Sequence, residues 1–145
     1  MKTINQNILT IGQGTICQQV NCFQTMGTGI ALAIRNKYPI VYQEYKNKTL
    51  FPRYKNLGRA QVIKVAEGLY CACLYGQYDY GRDYRRTEYG SIYMALKNLK
   101  AKLAEDQYPV YFPWKMSSNN AGADFNIISE MIDELFPEAF VCKIN

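Results

Sequence analysis

Six short apolar runs, separated by helical or polar stretches, follow one another along this chain. That alternation restricts it to a sheet covered by helices, because each element must bury its apolar side on another. The strand readings are Ile4 to Leu9, Thr15 to Val20, Ala60 to Val65, Leu69 to Tyr75, Pro109 to Phe112 and Ala139 to Ile144. A helix from Ile30 to Tyr38 follows a glycine pair and is stopped by Pro39, which disfavours helical geometry in the residue before it. Beyond Thr87, the expected N-cap, Tyr89, Ile92, Leu96, Leu99 and Leu103 recur at steps of three and four and form one apolar stripe. A last helix runs from Phe125 to Phe136, with Ile128, Met131, Ile132 and Leu135 inward and Asp124 as N-cap. The polar, Lys- and Tyr-rich segment from Tyr42 to Leu57 reads as a short helix mixed with surface loop.

At 145 residues the chain fits one domain spanning 1–145. With 48% hydrophobic and 20% charged residues it is too apolar for disorder. It has no run of about 18 apolar residues, and its first seven residues lack the apolar stretch of a secretory signal. The expectation is a cytoplasmic protein (host cytoplasm if phage-encoded) with no membrane partner.

Cys17, Cys22, Cys71, Cys73 and Cys142 are odd in number and sit mostly in apolar runs, as reduced core thiols do. Cys71 and Cys73 raise a metal site as the alternative. They share one strand face without forming a CxxC knuckle, and no histidine is available, so neither metal nor cofactor is expected. The absence of histidine also excludes Ser-His-Asp and Cys-His catalysis. The net charge of +5 suits an anionic ligand, and equally weak nucleic-acid binding. Arg82, Arg85 and Arg86 interleave with Tyr80, Tyr84 and Tyr89 as a stacking surface would. One short cluster at this charge reads better as a solvated face, so nucleic acid is not an expected partner.

In a helix-covered sheet, ligands collect where strands end and helices begin. Val20 to Ala31 leaves a strand at Asn21 and passes Gly27 and Gly29 into a helix, where free amides suit a phosphate. A tight turn without a ligand would need the same glycines. Pro113 to Phe125 also runs from strand to helix, through the small polar segment Ser117 to Asp124, which a plain loop would equally explain. Two such loops could grip a diphosphate from both sides. Phe125, Tyr75 and Tyr78 are candidates for stacking a nucleobase.

The string VNCFQTMGTGIALAIRNKYP resembles the first ligand loop of macro domains, where an Asn-Cys or similar pair precedes M-G-x-G-I-A. YGQYDYGRDYRRTEY, followed by FPWKMSSNNAGADFNIISEMIDELF, is similar to the second half, where related members read P-Y-K-I-G-C-G-L-A-G-G-D-W. The resemblance covers nearly the whole chain in order. It is closest to the bacterial and phage branch with terminal ADP-ribose glycohydrolases and the ADP-ribose 1″-phosphate phosphatase. It implies a three-layer α/β/α fold with a central mixed sheet. It also implies a cleft for ADP-ribose or a close NAD-derived nucleotide, free or carried by an ADP-ribosylated macromolecule.

The resemblance places Asn7 and Ile8 at the adenine, where an acidic residue is usual, and Asn21 and Tyr78 at the distal ribose. The diphosphate falls to Met26, Gly27, Thr28, Gly29 and Ile30, with Ser117, Ser118, Asn119, Asn120, Ala121 and Gly122 closing over it. Ser117 and Asn119 replace glycines of the family pattern. The lysine and aspartate of the glycohydrolases are replaced by Gln77 and Ala121, and the phosphatase histidine has no counterpart. Asp79 is then the candidate catalytic carboxylate, able to orient a water, although an ion pair with nearby Arg82 explains it as well. A binding module is favoured; the alternative is a phosphatase or de-ADP-ribosylating hydrolase with a non-histidine catalytic set.

Overall fold

A computed structural model describes residues 1–144. Six strands form one sheet: β1 (Lys2–Asn5), β2 (Gly14–Val20), β3 (Ala60–Ala66), β4 (Leu69–Tyr75), β5 (Val110–Pro113) and β6 (Phe140–Lys143). Their order is β1-β6-β5-β2-β4-β3, parallel except for the antiparallel edge strand β3. Four helices accompany them: α1 (Gly29–Lys37), α2 (Pro39–Asn47), α3 (Tyr89–Lys102) and α4 (Phe125–Leu135).

Helices cover both faces of this mixed sheet, as the alternation of elements requires. Leu96 and Leu99 of α3 and Ile128 and Ile132 of α4 pack on Ala72, Leu74, Phe112 and Val141. On the opposite face Ile34 of α1 and Val41 and Tyr45 of α2 meet Ile16, Val20, Cys71, Cys73 and Tyr75. Strand β4 thus sends alternate side chains into two apolar layers, which is why LYCACLY reads as an unbroken apolar run. All five cysteines are free and buried in these layers.

Three sequence readings need correction. Strand β1 ends at Asn5 and does not reach Leu9, because Asn7 turns the chain. The Asn7 Oδ1 accepts the Leu9 N–H at 3.0 Å and caps a 3-10 turn over Ile8–Thr10. Pro39 ends α1 and also starts α2 as its first residue, where the missing N–H costs nothing, and α2 through Asn47 is the short helix expected in the Tyr42–Leu57 segment. Thr87 does not cap α3; Glu88 holds that position, without a side-chain bond. Tyr75 is fully buried, its hydroxyl 3.1 Å from Gln61 Oε1, and has no open face for a base.

Candidate functional site

Because β2, β4 and β5 run parallel, Val20, Tyr75 and Pro113 deliver three loops to one edge of the sheet. The first loop is held from within. Asn21 is buried; its Oδ1 accepts the Phe23 N–H at 2.8 Å, and its Nδ2 donates to Thr25 Oγ1 at 2.6 Å. The Tyr45 hydroxyl reaches across from α2 to the Asn21 carbonyl at 2.6 Å. Met26 is buried beneath the loop, whereas Gly27, Thr28 and Gly29 lie exposed on top. Gly29 has φ +57°, a left-handed geometry that glycine adopts without strain. Thr28 is the N-cap of α1 but makes no capping bond; its Oγ1 instead accepts from Asn120 Nδ2 at 3.0 Å. The amides and positive dipole end of α1 therefore face outward without a side-chain cap.

A residue the sequence did not single out ties the loops together. Gln19 Nε2 donates to Gln77 Oε1 at 2.7 Å and Thr87 Oγ1 at 2.9 Å, while its Oε1 accepts from Ser117 Oγ at 2.6 Å. Thr87 Oγ1 in turn donates to the Ser117 carbonyl at 2.8 Å. Gly76 makes room for this amide: a Cβ there would lie 2.3 Å from Gln19 Oε1.

Ser117 sits at φ +70°, the geometry its glycine counterpart would adopt freely, and is fixed there by the Gln19 bond and by its carbonyl accepting from Ala123 N–H at 3.0 Å. Ser117→Gly relieves left-handed strain of ~1 kcal/mol and loses one hydrogen bond of similar worth, so a thermal melt should move little. Ser117→Val keeps the strain, adds β-branching and loses the bond, and should melt clearly lower.

Between the loops lies a cleft of about 500 Å³. It gathers Asn21, Met26–Ile30 and Ser117–Ala121 together with Gln19, Gln77, Tyr80, Arg82, Trp114 and Lys115. Its charged lining residues are Arg82 and Lys115, and no carboxylate among the described residues lines it. Gly122 (φ +76°) lies just behind this wall. Asn7 and Ile8 are elsewhere, on the 3-10 turn, with Ile8 buried in the core. Tyr78 is outside the lining, edge-on to Phe23 with ring centres 5.0 Å apart, and Phe125 packs partly buried on the core.

Asp79 also stands outside the lining, and its ion-pair partner is Arg86 at 2.7 Å, not Arg82. Arg86 also bonds Asp83 at 2.6 Å, which holds the Asp83 carboxyl below its ordinary range. Arg86 packs on the Tyr84 ring and Arg85 on Tyr89, so most of the basic cluster is spent on its own loop. Asp124 caps α4, its Oδ1 accepting from Asn126 N–H at 2.9 Å.

Burial pushes the Cys22 thiol up to about 11, helped by the Glu88 charge, and burial alone does the same for Cys142. Burial shifts Tyr45, Tyr75 and Cys17 the same way, and Cys71 follows through its hydrogen bond with Cys73 and then its burial. A raised acid pKa means that the folded state holds its proton more tightly than the unfolded chain does. The resulting stability is complete below pH 9 and is lost as pH rises toward 11. Lys102, held low chiefly by burial, opposes this with a single group. Urea midpoints should stay level from pH 7 to 8.5 and fall steadily between 9 and 11.

No family sequence model matches the chain, and no curated protein sequence matches it. Solved structures do. The macrodomain of Thermus aquaticus DarG superposes with a TM-score of 0.79 at 18% identity, covering 98% of this chain and 97% of that one. The chain has the macrodomain fold. A Bacteroides thetaiotaomicron protein of unknown function shares this macrodomain architecture at 24% identity and a TM-score of 0.81, over 99% and 97% of the two chains. Thermosipho africanus DarTG, determined in complex with ADP-ribose, matches at 16% identity and a TM-score of 0.72, over 90% of this chain and 37% of that one.

Proposed function

We propose that this macrodomain binds ADP-ribose, or a close NAD-derived nucleotide, in the cleft between the Met26–Ile30 and Ser117–Ala121 loops. One observation carries the reading: the uncapped N-terminus of α1 opens into a cleft whose charged lining groups, Arg82 and Lys115, are both cations. Backbone amides and a helix dipole there suit a diphosphate, which needs several donors and no neighbouring anion. Thermosipho africanus DarTG, part of which is structurally similar to this chain, was determined in complex with ADP-ribose, which supports the choice of nucleotide. An ADP-ribosylated macromolecule would present the same group at the cleft mouth.

Recognition without turnover is the better reading. Hydrolysis at the distal ribose needs a group that activates water. The cleft offers Gln77 and Ala121 where the glycohydrolases of the resembling branch carry lysine and aspartate, and Asp79 is committed to Arg86 outside it. Calorimetric titration with ADP-ribose should give one site with a dissociation constant on the order of 10 μM, near −7 kcal/mol. Incubation with ADP-ribose 1″-phosphate should release no phosphate. Release of phosphate would establish the hydrolase alternative, and absence of heat at millimolar nucleotide would remove the ligand assignment.

A further inference from the structure

Strand β3 closes one side of the sheet, pairing among the described residues with β4 alone. Its outward backbone groups can be identified by alternation. The Tyr75 N–H bonds the Arg59 carbonyl at 3.0 Å, so Arg59 faces β4. Ala60 faces away: its N–H donates to Asn98 Oδ1 at 2.9 Å and its carbonyl accepts from Lys102 Nζ. Gln61 and Ile63 then face β4 again, leaving the N–H and C=O of Val62 and Lys64 directed outward. These meet no backbone partner among the described residues.

That open edge is the floor of a second cavity, of about 460 Å³. α2 forms one wall, clipped to β3 by Gln61 Nε2 donating to the Glu44 carbonyl at 2.9 Å, and the end of α3 forms the other through Lys102. Lys48, Arg59, Lys64 and Lys102 line it against one carboxylate, Glu44, which pairs with Lys48 at 3.7 Å. Lys64 is additionally paired with the fully exposed Glu67 at 3.1 Å. Arg59 and Lys102 have no carboxylate partner among the described residues.

We propose that the β3 edge, with its cationic walls, is a docking strand for an acidic extended peptide of a partner protein, which adds to the sheet beyond β3. Main-chain bonds to Val62 and Lys64 would supply the pairing, and alternate acidic side chains would reach Lys102 on one side and Lys48 and Arg59, which donates to the Lys48 carbonyl at 3.3 Å, on the other. Lysines on an edge strand protect it from pairing with its own kind. The same charges select a segment of opposite sign.

The test uses the ¹⁵N-labelled protein at low salt with a synthetic seven-residue peptide alternating glutamate and valine. At saturation the exchange of the Val62 and Lys64 amides should slow by about tenfold or more, while those of Gln61 and Ile63, already bonded to β4, hold steady. A lysine-valine peptide should bind nowhere on this edge, and Lys64→Glu should weaken the acidic peptide by about tenfold. The proposal is overturned if the acidic peptide binds without slowing those two amides, or fails to bind at millimolar concentration. It is also overturned if inorganic polyphosphate displaces the peptide with equal affinity, which would make the cavity a general anion site.

Discussion

Gly27→Glu is expected to weaken ADP-ribose binding by about a hundredfold or more while the fold stays intact. Gly27 precedes the α1 N-cap, and a Cβ at this position meets nothing within 4 Å. Its φ lies outside the left-handed region, so a side chain brings no backbone strain. A carboxylate beside a helix N-terminus is itself stabilising by roughly 0.3–1 kcal/mol, so the melting temperature should hold or rise slightly. The same carboxylate occupies the place a diphosphate needs. At about 5 Å and an effective dielectric near 20, each phosphate charge would meet repulsion on the order of 3 kcal/mol, which decides the outcome against binding. Calorimetry paired with a thermal melt separates this from unfolding. Unchanged affinity in a folded Gly27→Glu protein would mean that the nucleotide does not lie on α1.

Gln19→Ala should instead damage the scaffold. The substitution removes three hydrogen bonds at once and leaves Gln77 Oε1, Thr87 Oγ1 and Ser117 Oγ short of partners in a crowded, half-buried setting. At about 1 kcal/mol each the loss is ~3 kcal/mol, or roughly 6–12 °C in melting temperature for a domain of this size. Binding should weaken as well, because β2 would no longer hold the loops after β4 and β5 in register. Gln19→Glu is the informative companion: it keeps the shape but loses both donors to Gln77 and Thr87. A Gln19→Ala melt within 2 °C of wild type, less than the roughly 2–4 °C expected for even a single lost hydrogen bond, would show that the network is not what sets the loops.

The layers, β2 to β6 and three of the four helices were legible because burial on one or two faces leaves a periodic mark. LYCACLY, a short apolar run, reads as a strand buried on both faces, and Ile128 and Ile132 lie one turn apart on a helix. The two ligand loops were legible through Gly27 and Gly29 and the small residues after Met116. What was missed depended on partners distant in sequence. Gln19 meets Ser117 across 98 positions, and a glutamine at a strand end carries no signal of its own. Thr87 resembles an N-cap locally, yet Ser117 and Gln19 claim its hydroxyl. Asp79 has basic residues on its own loop, and only the folded loop makes Arg86, rather than Arg82, its partner. At the start of the chain, Ile8 continues the apolar pattern of β1, and the short reach of the Asn7 side chain breaks it.

The central claim is that a diphosphate sits between the two loops, and an amide-resolved NMR titration with ADP-ribose tests it most directly. The largest shifts should fall together on Gly27, Thr28 and Gly29 and on Ser118, Asn119 and Asn120, saturating with a single dissociation constant. Shifts confined to one loop, or gathered away from both, would contradict the account.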